Sequence, residues 1–143
     1  MNDEHVVALV QVAGRAGLSA DVVGRLVEVS EPDLIASAVA VAAEPGVRVV
    51  LVHDPLRIAA PPGVVARVVE SVLASGRAVV PVLPCSDTVK SLDDTDVVID
   101  TPDRIALRVL QSPIGYPAEL ISSGAVVPGR VPSGALTIDG GPA

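Results

Sequence analysis

The stretch Val47 to His53 (VRVVLVH) is apolar at nearly every position. A strand that faces water on one side alternates, and one that does not alternate is buried on both faces. Double burial is the condition of a parallel sheet covered by helices. Arg77 to Leu83 (RAVVPVL) has the same texture, and Pro81 and Pro84 place it at an edge or at the end of pairing. The 143-residue chain is 50% hydrophobic, yet it holds no Phe or Trp and a single Tyr and Met. Its core is therefore aliphatic. Valine supplies roughly a fifth of the residues, and β-branched side chains favour buried strands. A chain of this length builds one self-sufficient core.

Around those two strands, helical and extended segments alternate. His5 to Val12 reads as a strand ending in the turn Ala13-Gly14-Arg15-Ala16-Gly17. Ser19-Ala20-Asp21 opens a short helix through about Glu28, or else Leu26 to Ser30 is a strand. Ser30 caps a helix begun by Glu31-Pro32-Asp33, with Leu34, Ala38 and Val41 on its apolar face and Pro45-Gly46 at its end. Pro61-Pro62-Gly63 opens a second helix to Ser75, which buries Val64, Val65, Val68, Val69 and Val72 and stops at Gly76. Beyond it, Asp87 to Leu92 and Val97 to Ile99 flank a hairpin-like connection. Thr101-Pro102-Asp103 caps a short helix, Arg108 to Gln111 is a strand, and Pro117 to Ser122 is helical. The expected organisation is one domain over residues 1–123 and a Gly/Pro-rich tail over 124–143. The tail has one strand around Ala135 to Ile138, adding a sheet edge or covering surface. The fold class is α/β, a three-layer αβα sandwich.

Charge removes several partners. Seventeen acidic residues face nine Arg and one Lys, Lys90, for a net charge of −7. Such a chain offers no cationic footprint for nucleic acid or for an anionic membrane, and a single Tyr is no platform of aromatics to stack on bases. Cys85 stands alone, without a disulfide partner or a thiolate metal site. Met-Asn-Asp-Glu-His is acidic and does not read as a signal peptide. No apolar run reaches the ~20 residues of a membrane span. The expected location is the cytoplasm.

In open α/β sheets the ligand crevice lies beyond the carboxyl ends of the strands. Val52-His53-Asp54 is such an end, with Arg57 three residues on. A carboxylate there can hold Mg²⁺, and an arginine beside it can grip phosphate. The alternatives are that Asp54 caps a turn, that Arg57 pairs with Asp87 or Glu70, and that Arg104 is a solvated residue paired with Asp100. His53 reads as a packed strand residue.

Four segments resemble the 2-C-methyl-D-erythritol 4-phosphate cytidylyltransferase family, in the family's order and with similar spacing. They are Val52-His53-Asp54-Pro55-Leu56-Arg57, then Pro81 to Lys90 (PVLPCSDTVK), Thr101-Pro102-Asp103-Arg104, and Gln111-Ser112-Pro113-Ile114-Gly115-Tyr116. The resemblance implies a truncated Rossmann-like nucleotidyltransferase sheet with a protruding β-arm, about residues 86–100, that makes a homodimer. It implies transfer of CMP from CTP to methylerythritol phosphate, with Mg²⁺ if the protein is active and no cofactor otherwise. By the same resemblance Asp54, Arg57, Thr88 and Arg104 bind the sugar phosphate, and Asp54 lies near the metal.

The departures concern the nucleotide. Ala13, Gly14 and Arg15 are a remnant of the family's phosphate-cradling loop, no Pro-Lys follows, and a C-terminal lysine is missing. Losing those amides and cations costs several kcal/mol of barrier in a reaction run on positioning and electrostatics, ~10³-fold in rate or more. Three readings follow: a non-catalytic homologue that keeps the arm and part of the sugar-phosphate pocket, an active cytidylyltransferase, and an interaction protein that keeps only fold and interface. The dismantled nucleotide half favours the first.

Overall fold

The computed structural model describes residues 7–12, 26–54, 57–84, 91–92, 98–100 and 108–140. In chain order the elements are β1 (Val7–Val12), β2 (Leu26–Val29), α1 (Leu34–Ala42), β3 (Val49–Val52), β4 (Ile58–Ala59), α2 (Pro62–Ser75) and β5 (Val79–Pro84). They continue with β6 (Ser91–Leu92), β7 (Val98–Asp100), β8 (Arg108–Ser112), β9 (Ile114–Pro117), α3 (Ala118–Ser122) and β10 (Leu136–Asp139). Of the two readings before Ser30, residues 26–29 are strand, pairing in parallel with β1. Ser30 does not cap α1 with its side chain. Its hydroxyl donates instead to the Asp33 carboxylate at 2.6 Å, across a single 3-10 turn that leads into the helix.

The main sheet runs β2-β1-β3-β9-β5, with β8 and β4 beyond and β10 on β5. β1, β2 and β3 are parallel, and β9 runs antiparallel between β3 and β5. All four residues of β3 are buried, as its lack of alternation requires. Successive residues then feed opposite layers. Val50 and Val52 face α1 and α3 in one apolar cluster, with Val10, Val80 and Tyr116. Val49 and Leu51 face Val64, Val65, Val68 and Val72 of α2 in the other, with Val79. This is the three-layer α/β arrangement.

β5 is interior, which overturns the edge placement. β10 lies along one side of it in parallel, and β9 and β8 succeed one another antiparallel along the other. Leu136 donates its N–H to the Ala78 carbonyl and Gly140 to that of Val82, so the nitrogens of Val80 and Val82 face β10 and that of Pro81 faces away. On that far side Val79 pairs with Gly115 and Val82 with Leu110. The register between them takes up Ser112-Pro113, whose peptide bond is cis. The proline therefore lacks its N–H where the ladder is interrupted.

Strand β9 has no counterpart in the sequence reading. The segment after Ser123 adds the strand expected of it, and β10 pairs along β5. β6 and β7 form a separate antiparallel two-stranded sheet within 86–100, the place assigned to the arm. Among the described residues no helix is long and apolar enough to cross a membrane.

Candidate functional site

Strand β3 delivers His53 and Asp54 to its carboxyl end, where the backbone turns: the Arg57 N–H donates to the Asp54 carbonyl at 3.1 Å. The turn sets the Arg57 side chain back over Asp54, with Nε 3.5 Å from Oδ2. Arg57 therefore pairs with Asp54, three residues away, and not with Glu70; Asp87 lies outside the described residues. The pair is only partly shielded, with 24% of the Arg57 side chain and 37% of the Asp54 side chain exposed. Arg57 Nη1 is buried and makes no hydrogen bond. A buried donor without an acceptor is costly, and here it is carried by a cation, which suits an anionic acceptor.

The chain then forms β4 alongside β8, Ile58 opposite Gln111 and Ala59 opposite Ser112. Ser112 is fully buried. Its Oγ accepts the Asp54 N–H at 2.8 Å and is hydrogen-bonded to His53 Nδ1 at 2.7 Å. His53 is buried as well, a packed strand residue as its sequence position suggests. Gln111 is buried with its Oε1 unmatched by any donor. Gly140 makes room for it, since a Cβ at Gly140 would fall 1.5 Å from that oxygen.

Of the residues singled out in the sequence, Asp54 and Arg57 are brought together. Thr88, Arg104, Ala13, Gly14 and Arg15 lie outside the described residues. Ser112 and Gln111 stand in the fourth family-like segment, where the sequence alone assigns neither a role. The available signal was a hydroxyl residue at a strand end, set between Gln and Pro. Among the described residues no group of three or more His, Cys, Asp or Glu could hold a metal ion. Mg²⁺ carried by nucleotide phosphates needs only one or two carboxylates. Asp54 could supply one, and the ion would neutralise phosphate charge there. Two cavities, of about 240 and 310 Å³, lie at the other end of the sheet, beside Val47-Arg48 and Arg77-Ala78. Neither touches Asp54 or Arg57.

A family model described as IspD, 2-C-methyl-D-erythritol 4-phosphate cytidylyltransferase, matches residues 35–137. The enzyme of that name from Nocardia farcinica is 50% identical over 80 residues, covering 56% of this chain and 35% of that protein. Its counterpart from Rhodococcus jostii is 49% identical over 72 residues, covering 50% and 32%. The chain thus spans about a third of the length of these curated relatives. In three dimensions it is similar to 4-diphosphocytidyl-2C-methyl-D-erythritol synthase from Anaerococcus prevotii, with a TM-score of 0.67 at 18% identity, over 96% of this chain and 90% of that one. Against the cytidylyltransferase from Thermus thermophilus the TM-score is 0.60 at 24% identity, over 92% and 71%. At these identities the likeness is one of fold.

Proposed function

The chain belongs to the 2-C-methyl-D-erythritol 4-phosphate cytidylyltransferase family, and from that premise we propose that it is a non-catalytic member whose strand-end site binds a sugar phosphate. The observation that carries this reading is Arg57, held against Asp54 with a buried Nη1 that still lacks an acceptor. A phosphate monoester supplies that acceptor, and an arginine fork suits its geometry. The unmatched Gln111 Oε1 belongs to the residue opposite Ile58, directly after Arg57 in the chain. It wants a donor, which the hydroxyls of a sugar phosphate provide. The non-catalytic half of the reading rests on the sequence. The segment after β1, where the family cradles a triphosphate, keeps only Ala13-Gly14-Arg15-Ala16-Gly17, and the sequence holds one lysine. A homodimer formed through the 86–100 arm and a cytoplasmic location complete the proposal.

Calorimetric titration separates the readings. Methylerythritol phosphate is expected to bind, Arg57→Ala to weaken it at least tenfold, and CTP with Mg²⁺ to give no saturable heat. Saturable CTP binding tighter than ~1 mM, about 4 kcal/mol, followed by pyrophosphate release, would restore the active-enzyme reading. Absence of binding by either ligand to the folded protein would leave the interaction-protein reading. Light scattering after size exclusion should return twice the 14.4 kDa chain mass; a monomer removes the arm-mediated dimer.

A further inference from the structure

The backbone on either side of the Asp54–Arg57 pair, at Asp54 and at Ala60, is fastened to one residue on a distant strand. On one side, the Asp54 N–H donates to Ser112 Oγ at 2.8 Å. On the other, the Ala60 N–H donates to the Ser112 carbonyl at 2.7 Å. Ser112 is itself fixed twice over, by the β4–β8 pairing at Ala59 and by the hydrogen bond of its hydroxyl to His53 Nδ1. The hydroxyl is wholly buried, so its work is done on the protein rather than on a ligand. With the Asp54 N–H taken by Ser112 and the Asp54 carbonyl taken by the Arg57 N–H, the peptide groups flanking the Asp54 α-carbon are held from both sides. That backbone sets the origin of the carboxylate against which Arg57 is aligned.

We propose that Ser112 is the positioning residue of the site, its side chain fixing the backbone at Asp54 and its carbonyl the backbone at Ala60, so that the Asp54–Arg57 pair is organised before any ligand arrives. Geometry that exists beforehand spares a ligand the cost of ordering it. The ligand-affinity consequence rests on the sugar-phosphate reading; the positioning itself does not.

The two are tested apart. In the ligand-free protein, amide hydrogen exchange at Asp54 and Ala60 is compared among wild type, Ser112→Ala and Ser112→Thr. Ser112→Cys serves in place of the alanine variant if that one does not fold, because it keeps the volume while weakening the acceptor. The expected result is at least tenfold faster exchange at Asp54 in Ser112→Ala or Ser112→Cys. Ala60, whose acceptor is backbone, stays within twofold of wild type, and Ser112→Thr is restored at both. Equal acceleration at the two amides, or none at Asp54, overturns the proposal. Titration with methylerythritol phosphate then reads the consequence. Where wild type binds, Ser112→Ala should bind at least fivefold more weakly and Ser112→Thr within twofold, and unchanged affinity in Ser112→Ala overturns the link to binding. Where wild type does not bind, the sugar-phosphate reading fails while the exchange pattern still decides the positioning.

Discussion

Tyr116 is the one aromatic residue of the chain, and it is fully buried in the layer beneath α1 and α3. Its hydroxyl donates to the Arg130 carbonyl and accepts the Gly129 N–H at 3.1 Å. Burial pushes the phenol up to about 12 from an ordinary 10.0, against the opposing pull of the Gly129 N–H and the Arg57 charge. The unfolded chain therefore ionises first as pH rises. The stabilisation is complete below pH ~10 and is lost on the way to pH ~12, by about 2–3 kcal/mol in all. Urea midpoints measured from pH 8 to 12 should fall more steeply for wild type than for Tyr116→Phe. Parallel slopes would show that the phenol is not the group responsible. At neutral pH the phenylalanine variant should be weaker by about 1–2 kcal/mol, since the Gly129 and Arg130 backbone groups lose their partner.

Between elements, α2 approaches β9 closely over Gly115. A Cβ there would stand 2.6 Å from Val68 Cγ1, 2.9 Å from Val72 Cγ2 and 3.3 Å from Leu51 Cδ2. Gly115→Ala should cost about 1–3 kcal/mol by overpacking. Adding Val68→Ala should recover part of that loss, so a denaturant double-mutant cycle should give less than the sum of the single costs; simple additivity would mean that the helix shifts freely. The same elements explain what was legible beforehand. β3 and α2 announced themselves, because an unbroken apolar run and a valine stripe each fit one kind of element. β9 did not, because Ile114-Gly115-Tyr116-Pro117 is short and contains the Gly and Pro that mark turns. Its extended state is imposed by β3 and β5 on either side. Pro81 misled for a related reason: a proline signals a missing ladder bond, and the sequence alone does not say which neighbour lacks it. At the site, Asp54 and Arg57 were legible as a strand end. Ser112 was not, since its partners His53, Asp54 and Ala60 stand more than fifty residues earlier in the chain.

Across the whole molecule, the two ends of the sheet differ. The carboxyl end of β3 carries the charged pair and the backbone bound to Ser112, while the cavities beside Val47-Arg48 and Arg77-Ala78 open at the amino ends of β3 and β5. β10 joins the layers late in the sequence, placing Leu136 and Ile138 in the α2 cluster, while the Arg67 guanidinium donates to the Asp139 carbonyl at 3.0 Å. Because alternate N–H groups of β10 point at β5, two neighbouring prolines should behave oppositely. Ile138→Pro removes a ladder donor and should cost about 3 kcal/mol or more. Thr137→Pro, on the outward side, should cost about 1 kcal/mol or less. Thermal melts that shift equally would show that β10 does not close the sheet.

The order of the strands also has a consequence for how the protein is made. On the ribosome, β1, β2, β3 and the helices α1 and α2 emerge before anything that flanks β5. The stretch Val79 to Val82 then waits, apolar on both faces, until β8 and β9 and finally β10 have been synthesised. A nascent chain paused in that interval presents an unpaired sticky strand, the form most open to chaperone capture or to association with a neighbouring nascent chain.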